Sequence, residues 1–339
     1  MQQTSYTKSA DATQPTAAGD RDALAHVSVI IPVRNEAASI ERLLRSLSAQ
    51  TYAPAEVVIT DGGSTDGTRE IIRAYQAQSP LAIVLVEVDA ALPGRGRNLA
   101  IARAQHEWIA CIDGGIVADA DWLRELVACA RREPSAQVVY GRYAPQTDTY
   151  FTESAAVAYV PAGRSRFIAS CLLKRAAWAQ AGGFREDLRS GEDLLFFQSL
   201  ARAGVVETYC DTAHVTWELQ PDLRRTFRRF VVYSRNSMRA GLGREWQYNV
   251  GRLYLLLCAL LLIGLFAWRP LLLLPLLLLL LRAEKRIWHC YRGRLWRELL
   301  SPRRVLTVAW INITIDCAAL YGCWQWLVHD RIKTVTGDK

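Results

Sequence analysis

A short β-branched run, Val57-Val58-Ile59, passes directly into Thr60-Asp61-Gly62-Gly63-Ser64-Thr65-Asp66-Gly67, and a helix-like segment follows from Thr68 to Ala77. A strand that ends in a carboxylate and two glycines puts charge at the carboxyl edge of a sheet, where open α/β folds bind ligands. The glycines permit positive φ or close approach of a ligand. The same turn also reads as a plain strand-to-helix connection, with Asp61 and Ser64 capping the next helix. The neighbouring segments weigh on that choice.

Val27 to Val33 is another short, almost continuous apolar run, as expected of a strand covered on both faces. Asn35 is placed to cap the next helix, whose Ile40, Leu43, Leu44 and Leu47 fall at i, i+3, i+4 and i+7. Further strands are predicted at Glu56–Thr60, Leu81–Val88, Trp108–Ile112 and Gln137–Tyr143. Helices are predicted at Arg95–Gln105 and from Asp119 to about Arg132. This alternation argues for an α/β fold with a mostly parallel sheet and right-handed crossovers. In such a sheet Asn35-Glu36, Asp61 and Asp113 face one cleft. No G-x-G-x-x-G follows the first strand, which weighs against a dinucleotide fold, and no Walker-type loop occurs. Acidic edges without a phosphate loop suit a nucleotide held through base and ribose, its diphosphate met by a metal or by arginine.

These residues carry a resemblance. Val29-Ile30-Ile31-Pro32-Val33-Arg34-Asn35-Glu36, then Asp61-Gly62-Gly63-Ser64-Thr65-Asp66-Gly67-Thr68, then Gly96-Arg97-Asn98, then Asp113, resemble in order and spacing the family-2 glycosyltransferases of the GT-A fold. The likeness covers roughly residues 26 to 245. It implies that Pro32, Arg34, Glu36, Asp61 and Gly62 bind the nucleoside of a nucleotide-sugar and that Arg97 contacts the donor. Asp113 would open the D-x-D element that holds a divalent metal, Mg2+ or Mn2+, on the diphosphate. Here Gly114 and Gly115 follow, not a second aspartate, a version found among membrane-attached relatives. A hard cation needs oxygen ligands, so Asp113 alone is a thin site. Arg95, Arg97 or Arg164 could neutralise phosphate instead.

Arg189-Ser190-Gly191-Glu192-Asp193-Leu194 resembles the family's Glu-Asp element, which makes Asp193, beside Glu192, the general base on an acceptor hydroxyl. A sugar hydroxyl needs its proton taken in the transition state. Ser190 to Asp193 also reads as a capping box with acids at a helix N-terminus. Gly182-Gly183-Phe184 looks like the acceptor-side turn, although Phe184 equally suits packing. His214 reads as structural or as a metal ligand. The family's processive Gln-x-x-Arg-Trp motif is missing, which implies transfer of single sugars.

The chain has 339 residues and a net charge of +8. The first 25 residues are polar, without a signal-peptide core, and read as a disordered tail that leaves the first domain in the cytosol. None of the eight cysteines forms a C-x-x-C pair, which weighs against a zinc site and suits a reducing compartment. After about Glu245, leucine, tryptophan and arginine dominate. Their juxtaposition points to anionic lipid rather than nucleic acid. Leu223, Phe227, Phe230, Val231 and Ser234 form a helical stripe flanked by arginines, which reads as a membrane-interface helix or as a surface helix packed on the main domain, its place before the apolar half favouring the interface.

Leu253 to Trp268 is an apolar stretch of 16 residues; Arg269-Pro270 interrupts it, and Leu271 to Leu281 adds 11 more. One span needs ~20 residues. Residues 282–304 carry a local charge of +6, and cytoplasmic loops are rich in Lys and Arg. A hairpin turning at Arg269-Pro270, with Arg282 snorkelling, keeps that loop inside. Val305 to Val328 is a further apolar stretch of 24 residues holding Asn312 and Asp316, which reads as a third span or as a helix in the interface, the span being preferred.

The expected organisation is a tail (1–25), a cytosolic GT-A domain (26–218), amphipathic interface helices (219–250), a membrane region of two or three spans (251–330) and a second tail (331–339). The expected activity is transfer of a sugar from a nucleotide-sugar to a lipid-linked or membrane-associated acceptor, by a multi-pass membrane protein that binds lipid and no nucleic acid. Two rivals stand beside it. A nucleotidyltransferase would release pyrophosphate from a nucleoside triphosphate. A degenerate, non-catalytic scaffold would keep full cellular function as an Asp193→Asn variant.

Overall fold

The computed structural model describes residues 24–161, 163–243, 246–290 and 301–332. The tail over residues 1–23, most of the second tail, and the loop arginines Arg292, Arg294 and Arg297 lie outside the described residues.

The strands are β1 (Val27–Val33), β2 (Glu56–Asp61), β3 (Ile83–Glu87), β4 (Trp108–Cys111), β5 (Ile116–Ala118), β6 (Val138–Gln146), β7 (Cys171–Lys174) and β8 (Glu207–Glu218). The helices are α1 (Ile40–Ser48), α2 (Thr68–Gln76), α3 (Pro93–Arg103), α4 (Trp122–Arg132), α5 (Tyr150–Tyr159), α6 (Arg175–Gln180), α7 (Glu192–Arg202), α8 (Leu223–Arg239), α9 (Gln247–Phe266), α10 (Leu274–Cys290) and α11 (Pro302–Gln325).

One sheet runs in the order β3-β2-β1-β4-β7-β6-β8-β5. The first four neighbours are parallel, as expected. β7 lies antiparallel between β4 and β6, and β5 is antiparallel to β8. The apolar runs resolve into two faces, because side chains alternate along a strand. Val29 and Ile31 pack with Ile40, Leu43, Leu44 and Leu47 of α1. Ile30 and Val58 pack on the other side with Ala100 and Ile101 of α3. Leu24, counted in the expected tail, is buried in the first of these cores, and its carbonyl accepts a bond from the Tyr52 hydroxyl. Since β1, β2 and β4 point the same way, Glu36, Asp61 and Asp113 come out at one edge.

A third core joins the two halves of the chain. Ala155, Val157 and Leu219 pack with Ala283 and Ile287 of α10 and with Val305, Val308, Ile311 and Ile315 of α11. The stripe on α8 is covered by protein. Ser234 donates to the Ala319 carbonyl (2.7 Å), and a Cβ at Gly322 would lie 2.7 Å from the Val231 carbonyl oxygen. Two described helices, Gln247–Phe266 and the segment Pro302–Asp330, are long and apolar enough to cross a membrane. α9 and α10 form a hairpin. Gly264 sits against Leu272 at its turn, and Arg282, on the second arm, pairs with the Asp316 carboxylate of α11. Arg282 therefore does not snorkel. It is held in an ion pair by fully buried Asp316, a better solution than solvent for a charge among apolar helices.

Candidate active site

The loops after β1 and β2 are laced together. Asn35 donates its N–H to Ser64 Oγ (2.9 Å), and its Oδ1 accepts the Thr65 N–H (2.8 Å). The Glu36 N–H bonds Thr68 Oγ1, and the Ala37 N–H bonds Asp66 Oδ2. Asn35 was expected to cap α1. Instead it takes a positive φ of 57° and ties the second motif to the first, while α1 begins after Ser39.

Asp61 is fully buried, and its Oδ1 accepts bonds from the Gly63 and Ser64 N–H groups and from Arg69 Nε (2.6 Å). Burial pushes its pKa up, but the bonds to Ser64 and Arg69 outweigh burial and hold it below the usual value. Its Oδ2 and the Thr60 hydroxyl are buried without a partner. A buried acceptor left open costs about 1–3 kcal/mol. Arg69 is a partner that the sequence reading missed; only its place in the first turn of α2 hinted at it.

Gly62 and Gly63 make room for protein, not ligand. A Cβ at Gly62 would stand 2.5 Å from the Ala91 carbonyl oxygen, and at Gly63 (φ +86°) 2.2 Å from that of Asp89. The loop so held, residues 87–92, walls two adjoining cavities of about 470 and 210 Å3 that share Ala90 and Arg95, the smaller also lined by Arg34.

Arg97 forms the centre of the site. It is 3% exposed and donates to Glu192 Oε1 (2.7 Å) and to Asp113 Oδ1 (2.8 Å). Burial opposes its charge, but the two carboxylates prevail and hold the guanidinium above its ordinary pKa. Two residues expected to meet donor phosphate are thus otherwise engaged: Arg97 binds these carboxylates, and Arg164 pairs with Asp211. Arg95, exposed beside the cavities, keeps that possibility. Phe184 stacks on Phe196 under Arg97, and Asn98 fixes its turn by accepting the Phe184 N–H.

α7 starts at Glu192 behind Gly191, whose φ of +86° does what the expected Ser190 cap does not. Glu192 is buried and its Oε2 has no partner. Asp193 follows, its Oδ1 accepting the Leu194 N–H (2.9 Å). Burial first, then the Glu192 charge, pushes Asp193 up to about 6, with Arg97 opposing.

Glu36 explains the first glycine after Asp113, whereas a Cβ at Gly115 would make only ordinary contact. A Cβ at Gly114 would lie 2.9 Å from Glu36 Cγ, and one at Gly115 3.8 Å from Glu36 Oε2. The Glu36 carboxylate occupies the space beside Asp113 that a longer residue would claim. Burial raises its pKa, Asp113 and Asp66 add to this, and Ser39 opposes. Arg229 of α8 also acts on it, while stacking on Trp217 (4.7 Å), a contact without sequence signal. Among the described residues no group of three His, Cys, Asp or Glu could close around a metal. Two hard carboxylates beside a diphosphate still fit Mg2+ or Mn2+ when phosphate and water complete the shell. His214 bonds the Thr212 carbonyl through Nδ1, a local turn contact.

Residues 28–191 match the model of the glycosyl transferase family 2. Succinoglycan biosynthesis protein ExoA of Rhizobium meliloti is 30% identical over 61% of this chain and 67% of its own length. Glycosyltransferase AglE of Haloferax volcanii is 36% identical over 31% of this chain and 35% of its own. The chain spans 34% of the poly(ribitol-phosphate) β-N-acetylglucosaminyltransferase TarS of Staphylococcus aureus, at 29% identity over 55% of itself. Among solved structures, the mannosyltransferase PcManGT from Pyrobaculum calidifontis, in complex with GDP-Man and Mn2+, has a TM-score of 0.64 over 90% of this chain and 88% of its own. At 21% identity that is a likeness of fold.

Proposed function

Because this chain belongs to glycosyl transferase family 2, we propose that it moves a sugar from a nucleotide-sugar to a hydroxyl of a lipid-linked or membrane-associated acceptor, one sugar at a time and with inversion. The reaction would serve cell-envelope or polysaccharide biosynthesis. The catalytic domain faces the cytoplasm, and the α9–α10 hairpin crosses the membrane.

The observation that carries this reading is the Asp113–Arg97–Glu192 bridge. It couples the donor edge of the sheet to the first turn of α7, where Asp193 stands. Asp61 and Thr60, with their open buried acceptors, receive the nucleoside, and Arg34 and Arg95 line its cavity. Asp193, tuned to about 6, is ionised near neutrality yet basic enough to accept a proton, the compromise that general-base catalysis favours. It takes the acceptor proton as the hydroxyl oxygen attacks the anomeric carbon, and the nucleoside diphosphate departs on the opposite face. Asp113 and Glu36 would hold a divalent cation. When bound, that ion neutralises charge growing on the diphosphate. Arg97 keeps Glu192 and Asp113 in register and tempers the proton affinity of Asp193.

The test is nucleotide release from a panel of nucleotide-sugars by detergent-purified protein with membrane lipid extract, with and without EDTA. Release from one donor, abolished in Asp193→Asn, is expected. No release from any donor by folded protein, across lipid extracts of several sources, refutes the reading.

A further inference from the structure

α11 meets the two criteria of a third span, length and composition, but its contacts are those of a helix lying flat. Near one end, Arg304 bonds Glu153 (2.9 Å) and Ser154 (3.4 Å) of α5. Beyond the other, Asp330 bonds Arg235 of α8 through both oxygens (2.8 Å each). Between them Val308, Ile311 and Ile315 pack on the α5 side, and Ala319 and Gly322 on Ser234 and Val231 of α8. At ~1.5 Å per helical residue, Arg304 and Asp330 are separated by more than the ~30 Å of a hydrocarbon core. Both anchors belong to the catalytic domain. α5 connects β6 to β7 of its sheet, and α8 holds the catalytic loop, Asn236 accepting the Arg189 N–H. A crossing helix would have to place these on opposite sides of the bilayer.

The hairpin behaves differently. Leu255, Leu262, Leu265, Phe266, Trp268, Leu273 and Leu276 are exposed toward its turn, where α11 does not follow. Among the described residues, α11 meets the hairpin through Arg282, Ala283 and Ile287, on the part of the second arm away from that turn. The outer face of α11 then carries Leu306, Trp310, half-buried Ile313, Cys317, Leu320 and Trp324 in steps of three and four, with exposed Tyr321 beside them. Indole and phenol rings favour the headgroup level, where one end is apolar and the other wet. Exposed Arg224, Arg225 and Arg228 of the adjoining α8 supply the charge that anionic headgroups match.

We infer that α11 is not a span but an interfacial helix, docked along the catalytic domain with its Trp310–Trp324 face in the cytoplasmic headgroup layer of an anionic bilayer. Only the hairpin crosses, so the end of α11 stays on the catalytic side. This inference rests on the membrane reading above.

The experiment places one epitope tag before Met1 and another after Lys339 of the full chain, and probes both in sealed inside-out vesicles. A second measurement reconstitutes the protein in phosphatidylglycerol-containing vesicles and compares Trp310→Phe with Trp324→Phe for quenching by shallow and deep brominated lipids. Both tags accessible together, and both tryptophans lost from the shallow-quenched population alone, are expected. Tags on opposite faces, or tryptophans differing in depth by the ~21 Å that 14 helical residues would impose, overturn the inference while leaving the membrane reading intact. Protein released from vesicles by alkaline carbonate overturns both.

Discussion

Replacing Arg97 by methionine isolates the energetics of the site. The guanidinium is 3% exposed and is the hydrogen-bond partner of Glu192, whose second oxygen is already without one. Methionine keeps most of the volume and removes the charge, so Glu192 is left as an unpaired buried carboxylate. Removing one partner of a buried ion pair costs about 3–5 kcal/mol. Asp113 adds little, because its side chain is 38% exposed and water can replace the arginine. For a domain of this size, ~2–4 °C of melting temperature accompanies each kcal/mol, so Arg97→Met should melt roughly 6–20 °C lower. Adding Glu192→Gln should recover more than half of the loss, since the unpaired charge is then gone. Thermal unfolding followed by tryptophan fluorescence in detergent measures all of this. A loss below about 1 kcal/mol, or no recovery in the double variant, would refute the claim that Arg97 holds the site together.

Other outcomes follow from the same geometry. kcat/KM should rise with pH through about 6 and level off above it, because Asp193 works ionised; Asp193→Asn should cut kcat by ~10²–10⁴ and abolish that limb, and an unchanged profile assigns the base elsewhere. Gly63→Ala combines a positive φ with a Cβ 2.2 Å from the Asp89 carbonyl oxygen, so chemical denaturation should show a loss of at least about 2 kcal/mol. Glu36→Gln should weaken Mn2+-dependent donor binding, read by calorimetry, and leave the melting temperature of the metal-free protein nearly unchanged; equal Mn2+ dependence in variant and parent would exclude Glu36 as a ligand. Asp316→Leu and Arg282→Leu should each destabilise the helices more than the double variant does, since each alone strands a charge.

The parallel half of the sheet was legible because β1, β2 and β4 are short apolar runs bounded by turn residues, a pattern that specifies a strand covered on both faces. β5 and β7 were not, since three or four residues on an antiparallel flank leave too little periodicity to read, and β8, although 12 residues long, has its apolar residues interrupted by Asp211, Thr212 and His214. Asp61, Arg97, Asp113, Glu192 and Asp193 were each nameable from motifs. Their pairing was not, because the Arg97–Glu192 contact closes over 95 positions, and only the fold brings them together. Asn35 was misread for a related reason. Its side chain serves Thr65 across the sheet edge, whereas a local pattern shows only the helix that follows. The snorkelling arginine failed likewise. Arg282 lies near an apolar end, and the acid that holds it belongs to a helix 20 positions further on in the chain.

The third core has a consequence for the order in which the molecule is made. Ala155, Val157 and Leu219 belong to the catalytic half, yet their covering comes from α10 and α11, which leave the ribosome after it. α8 likewise gains its Ala319 and Gly322 partners only at that stage, and α8 is what holds the Arg189 backbone beside Asp193. A nascent chain that has completed its sheet is therefore still unfinished around its base. A chain interrupted before α11 leaves an apolar wound on the catalytic domain, open to chaperones and proteases, and not a smaller working enzyme. On the proposed membrane reading, arrival at the lipid surface and completion of the cleft would be one event.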